Sequence, residues 1–169
     1  MTNTLLNSNH LSTIGIFNRE VKTMGTRELF ARLIKCEAGG EGEDGMQAVA
    51  TAVMNRVRVP YGEYQRVCQG DLRRVIEQMC QYSCVKSVIG GQQNTQNVWA
   101  ATPDAQHYRI ADWAINGGIH IGAGSDTLWY MNPFNPVCPN FFPYNKTGYW
   151  YTRINDHCFY NPTAAYANT

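Results

Sequence analysis

Apolar residues recur at helical spacing through the first two thirds of the chain, and then the rhythm stops. Phe30, Leu33, Ile34 and Glu37 fall at i, i+3, i+4 and i+7, so they share one helix face. The run around them predicts a helix from Thr26 to Ala38, capped by Thr26, with Glu28 in its first turn and Gly39-Gly40 ending it. A second helix is expected from about Asp44. Asp44 and Gln47 have capping-box spacing, Met46, Val49, Val53 and Val57 form the buried stripe, and Pro60 closes it. A third should follow Asp71 with Leu72, Val75, Ile76 and Met79 inward. A fourth should open at Thr102-Pro103, carry Ala105, Tyr108, Ala111, Asp112 and Ile115, and stop at Gly117-Gly118.

Beyond residue 118 helix formers thin out, and Pro, Asn and Gly take over. Twelve of the twenty aromatic residues lie there, a texture of short strands and ordered loops. A helical front half and a strand-and-loop back half predict an α+β domain. Residues 1–24, rich in Asn, Ser and Thr, read as a polar tail, 25–162 as the domain, and 163–169 as a C-terminal tail.

The length of 169 residues suits one domain, and the formal net charge of +1 provides no field to draw nucleic acid or an anionic membrane. No segment has the length of a membrane span, so no membrane insertion is expected. The N-terminus lacks a basic region followed by an apolar one, so no signal peptide is expected and synthesis is placed in the cytoplasm. That compartment favours free thiols for the six cysteines over a disulfide framework. Cys80 and Cys84 have no second ligand pair, which leaves no metal expected, and no cofactor signature is present.

Glu37 carries the sharpest chemistry. A carboxyl on the inward face of a helix is penalised as a charge, so burial raises its pKa and lets it hold a proton near neutrality. The bland alternative is a helix-end glutamate whose head reaches water. Glu41, Glu43 and Asp44 crowd the next turn; their charges would raise Glu37 further, but a solvated acidic turn is the preferred reading of the three, with Glu41 set apart as a candidate for the site. Trp129-Tyr130-Met131-Asn132-Pro133 and Tyr149-Trp150-Tyr151 offer flat apolar rings with polar edges, suited to sugars, while about half of such rings should be core. Gln81-Tyr82-Ser83-Cys84 forms either a cleft wall or a capped helix end. Cys36 with a distant His157 and Asn155 or Asp156 is the thiol alternative. Asn145-Lys146-Thr147 matches a glycosylation sequon.

Cys36-Glu37-Ala38-Gly39-Gly40-Glu41, followed by Gly45-Met46-Gln47-Ala48-Val49-Ala50 and Asn55-Arg56-Val57, resembles the opening motif of SleB/CwlJ-type cell-wall hydrolases. Gln81-Tyr82-Ser83-Cys84, the Ala-rich helix with Trp129-Tyr130-Met131-Asn132-Pro133 beyond it, and Ile154-Asn155-Asp156-His157-Cys158-Phe159-Tyr160 resemble further segments, in order, over about residues 27–162. Cys36 stands where Ala is usual and Gly39 where Arg is common. The resemblance implies the CwlJ branch, a spore-coat-associated germination enzyme made in the mother cell and acting at the boundary of coat and cortex. It implies a lysozyme- or lytic-transglycosylase-like fold and glycan strands of cortex peptidoglycan as substrate, with a spore-coat protein as a candidate partner.

On this reading Glu37 is the catalytic acid, and Glu41, Gln81, Ser83, Tyr130, Asn132 and His157 contact substrate. A lytic transglycosylase needs one carboxyl group, whereas a hydrolase needs a second, for which Glu41, Asp126 and Asp156 are candidates. The rivals are a Cys36/His157 thiol amidase or peptidase, and a non-catalytic coat or glycan-binding protein.

Overall fold

The computed structural model describes residues 24–78, 83–86, 88–142 and 145–169. The expected N-terminal tail up to residue 23, together with Met79, Cys80 and Gln81, lies outside the described residues.

Helix α1 spans Thr26–Ala38, and Leu29, Phe30, Ala31, Leu33 and Ile34 on it are wholly buried. Its N-cap is Gly25 rather than Thr26, and no side chain caps it. Helix α2 spans Gly42–Arg58 and starts two residues earlier than expected. The Asp44–Gln47 box does not form, because Asp44 Oδ1 meets His120 Nε2 at 2.7 Å and Gln47 donates to Glu43. Ala48, Val49, Ala50, Ala52 and Val53 are all buried, so α2 is enclosed on most sides and acts as the central post of the domain.

Helix α3, Gly62–Cys68, was not foreseen; it turns the chain back against α2. Helix α4, Leu72–Glu77, follows Asp71 as expected, and Asp71 caps it by accepting from the Arg74 N–H. Ser83–Val85 forms a 3₁₀ turn, and a small hairpin pairs β1, Val88–Ile89, with β2, Gln92–Gln93.

Helix α5 spans Ala105–Ile115. Its cap is Asp104, in a capping box with His107, and Thr102-Pro103 lie just before it. The inward stripe is His107, Ile110, Ala111 and Ala114, one step round from the expected set, with Ile115 exposed. Two ion pairs fix α5: Arg27 to Asp112 on the α1 side and Arg109 to Glu43 on the α2 side.

The aromatic back half builds an antiparallel sheet from β3 (Trp129–Met131), β4 (Phe141–Phe142), β5 (Gly148–Ile154) and β6 (His157–Pro162). The strand order is β3-β6-β5-β4, with a bulge in β5 between Trp150 and Thr152. The mixed helix and sheet content makes the domain α+β, as expected. Phe159 and Tyr160 of β6 are fully buried, and β3 abuts α2.

Two expectations are corrected here. Cys138 and Cys158 form a disulfide that ties the loop after β3 to β6, so the thiols are not all free; Cys36, Cys68 and Cys84 are. The segment expected to be a C-terminal tail is packed: Ala164–Asn168 forms a 3₁₀ turn whose Tyr166 is buried against Tyr64 and Trp129. It buries enough aromatic surface to be held as core. No helix among the described residues is long and apolar enough to cross a membrane.

Candidate active site

An open cleft of about 1210 Å³ runs between the helical half and the sheet. The end of α1 and the turn after it supply Cys36, Glu37 and Glu41. The buried side of α2 supplies Arg56. From the sheet side come Tyr130, Asn132 and His157. Thus Glu37, Glu41, Tyr130, Asn132 and His157, distant in sequence, line one cavity. Gln81 lies outside the described residues. Ser83 opens the 3₁₀ turn whose Cys84 reaches Glu37.

Glu37 follows three fully buried residues of its stripe, so its carboxyl emerges where the helix face meets the cleft floor. Burial pushes its pKa above the ordinary carboxylate range. Opposing this, the Cys84 thiol donates to Oε1 at 2.8 Å, and the nearby His157 and Arg56 favour the ionised form. The acidic turn has other partners. Glu43 accepts from Arg109 and Gln106, and Asp44 meets His120. Desolvation, rather than repulsion from that turn, is what raises Glu37.

Glu41 is largely buried. Its Oε2 accepts the Asp156 N–H at 2.9 Å and lies 3.6 Å from His157 Nδ1, while its carbonyl accepts from Asn155 at 2.7 Å. Gly45 makes this possible: a Cβ there would collide with Glu41 Cβ and press on Asn155 Nδ2. Asn155 takes φ +50°, a conformation asparagine tolerates better than most residues. The His157 ring stands edge-on to Tyr130 at 5.7 Å, and among the described residues its Nδ1 makes no hydrogen bond.

Arg56 and Cys84 were not singled out from the sequence as parts of the acid's surroundings. Arg56 is 4% exposed, donates to the Leu128 carbonyl and lies over the Tyr64 and Tyr130 rings at 5.3 and 5.5 Å. Its signal was available: Val49, Val53 and Arg56 stand at i, i+4 and i+7, a charge on a buried stripe. The Cys84 thiol also lies against that of Cys36; its single proton serves Glu37 or Cys36 in turn, and given to Cys36 it holds that thiol below the ordinary range, while this contact and burial push Cys84 up. The other residues in question lie elsewhere. Asp126 lines a separate small pocket, and Asp156 is exposed. Tyr149, Trp150 and Tyr151 are half exposed but are not among the cleft-lining residues, and Trp129 and Tyr130 are largely buried. Trp129 and Tyr130 nonetheless line the cleft, together with Phe134 and Phe142. No group of three or more His, Cys, Asp or Glu suited to a metal occurs among the described residues.

A buried carboxyl in an open cleft, with amide and aromatic groups on its walls, is an arrangement suited to acid–base chemistry on a bound ligand. Comparison with known proteins names the group: residues 40–160 match the Hydrolase_2 cell wall hydrolase family, and the chain belongs to it. It is 31% identical to cell wall hydrolase CwlJ of Bacillus subtilis over 81% of this chain and 85% of that one. It is 30% identical to cell wall hydrolase CwlJ of Halalkalibacterium halodurans, covering 82% and 86% of the two chains. To CwlJ of Oceanobacillus iheyensis it is 33% identical, covering 82% and 87%. No solved structure matches the chain significantly.

Proposed function

We propose that this protein cleaves the glycan strands of spore cortex peptidoglycan during germination, with Glu37 as the general acid. The supporting observation is the Glu37 carboxyl itself, raised by burial and facing an open cleft. A proton held there is available to the oxygen leaving a glycosidic bond as the sugar becomes oxocarbenium-like. Arg56 and His157 then favour the carboxylate left behind, which can act as base in the second half of the reaction. Internal attack by a muramoyl 6-hydroxyl needs nothing more. If water attacks instead, Glu41 is the carboxylate nearest in role, since it lines the same cleft. The lysozyme-like arrangement, the substrate contacts at Glu41, Gln81, Ser83, Tyr130, Asn132 and His157, and action at the coat–cortex boundary beside a coat protein belong to the same proposal.

The thiol reading has one favourable observation: Cys36 lines the cleft and its thiol is held below the ordinary range. The cause is Cys84 rather than a histidine base, and His157 stands beside Glu41, so the acid reading is preferred. Glu37→Gln keeps the shape and removes the proton donor. Its rate of cortex solubilisation is expected to fall at least about a hundred-fold. Turnover equal to the parent would refute the acid. Mass spectrometry of released fragments separates anhydro ends, reducing ends and freed peptides, which assigns the bond.

A further inference from the structure

We propose that the Phe134 ring is a stacking platform for one uncharged pyranose ring of the bound glycan, held at the cleft mouth by an anchored loop. The inference rests on reading the cleft as a glycan site.

Phe134 lines the same cleft as Glu37, yet the residue is 92% exposed. An apolar ring left in water gains when another apolar surface covers it. Its backbone is also unusual, with φ +50°, a region that bulky aromatic residues rarely adopt. Such a conformation persists only where the surroundings impose it, and it points from strain to use.

The loop imposes it at several points. Asn132 Oδ1 accepts the Phe134 N–H at 2.8 Å, and Asn135 Oδ1 accepts the Val137 N–H at 2.9 Å. Arg153 Nη1 donates to the carbonyls of Asn135 and Pro136, each at 2.9 Å. At one end the loop leaves β3, and at the other the Cys138–Cys158 disulfide fastens it to β6. A ring presented this way has little freedom left to lose on binding, which favours recognition of a rigid flat face.

The amides on the walls of the cleft bear on the class of ligand. Gln96, Asn97, Asn132 and Asn145 line the same cleft, all neutral amides that donate and accept. A pyranose matches this combination, because its axial C–H face is apolar while its rim carries hydroxyl and acetamido groups. Asn97 is satisfied by its own loop, and the Oδ1 atoms of Asn132 and Asn145 accept from Phe134 and Thr147. A lipid chain would still cover the Gln96 amide and the Nδ2 groups of Asn132 and Asn145 without offering a partner, at a cost in desolvation.

The test measures binding in the full chain carrying Glu37→Gln, so that ligand is not consumed, with soluble N-acetylglucosamine oligomers as probe and calorimetry as readout. Adding Phe134→Ala is expected to weaken Kd about five- to thirty-fold, whereas Phe134→Trp stays within about two-fold. Phe134→Gly relieves the backbone and is expected to keep or raise the thermal midpoint while binding falls, an opposition that a merely structural role would not produce. Parent-like affinity in Phe134→Ala, or Phe134→Trp binding no better than Phe134→Ala, would overturn the platform. If the Phe134-containing protein binds no oligomer at all, the glycan reading fails instead. Activity retained by Glu37→Gln would count against the acid alone.

Discussion

Around Glu37 the balance of forces is set by a few atoms. Burial raises the carboxyl, and the Cys84 thiol, His157 and Arg56 pull it back. Activity that needs the proton is therefore lost as pH rises through the Glu37 pKa in the folded protein. Cys84→Ala removes a donor that favours the carboxylate, so the acid should hold its proton to higher pH. The alkaline limb of the pH–rate profile is expected to move upward, by a few tenths of a unit to about one unit, the range for loss of one ordinary hydrogen bond and fitting for a weak thiol donor. Cys84→Ser keeps a donor and should leave the limb near the parent's. A limb that stays in place in Cys84→Ala, or moves to lower pH, would show that the thiol does not act on Glu37. The placement of Glu37 was legible in the sequence because a stripe of three apolar residues points at it. Cys84 was not, since nothing in a linear pattern says that residue 84 returns to residue 37.

Among the elements, the start of α2 couples packing to the site. Gly45 lets Glu41 and Asn155 close over the first turn of the helix, where any Cβ would strike Glu41. Gly45→Ala gains helix propensity but overpacks this contact, so a net loss of about 1–3 kcal/mol is expected. The larger effect should be on activity, because Glu41 must move and with it the 3.6 Å approach to His157. Thermal melting and cortex solubilisation measured together check this; unchanged activity would mean that the turn adjusts freely. The same region shows where pattern reading works. The bounds of α1 and the start of α4 after Asp71 follow from local chemistry and were readable. Thr26 and Asp44 were misread as caps, since Gly25 takes the first place and Asp44 answers a histidine far along the chain. Helix α3 escaped notice because seven residues with only Tyr64 and Cys68 buried give too short a stripe.

In the whole molecule, two ties shape the cleft, and neither was visible as periodicity: one fastens the loop after β3 to β6, and the other packs the C-terminal turn against α3 and β3. The Cys138–Cys158 disulfide closes a loop with a sequence separation of 20. Reduction, or Cys138→Ser with Cys158→Ser, is expected to cost about 3 kcal/mol, read as a lower midpoint in denaturant melts. An unchanged midpoint would show that the loop is held by its hydrogen bonds alone.

The second tie is the C-terminal turn. Tyr166 is 1% exposed, its hydroxyl accepts the Tyr64 N–H at 3.1 Å, and its ring stands edge-on to Trp129 at 5.3 Å. Tyr64 and Trp129 also line the cleft, so this buried contact lies directly behind the wall of the site. Tyr166→Ala opens a cavity there and is expected to cost about 3–5 kcal/mol. Tyr166→Phe keeps the ring and loses one hydrogen bond, about 1 kcal/mol. Because the cavity lies behind a substrate-facing wall, the Ala variant should also weaken oligomer binding at temperatures where it remains folded, while the Phe variant should not. Equal binding by all three proteins at such a temperature would mean that the wall is rigid without its backing, and that the C-terminal turn contributes to stability only.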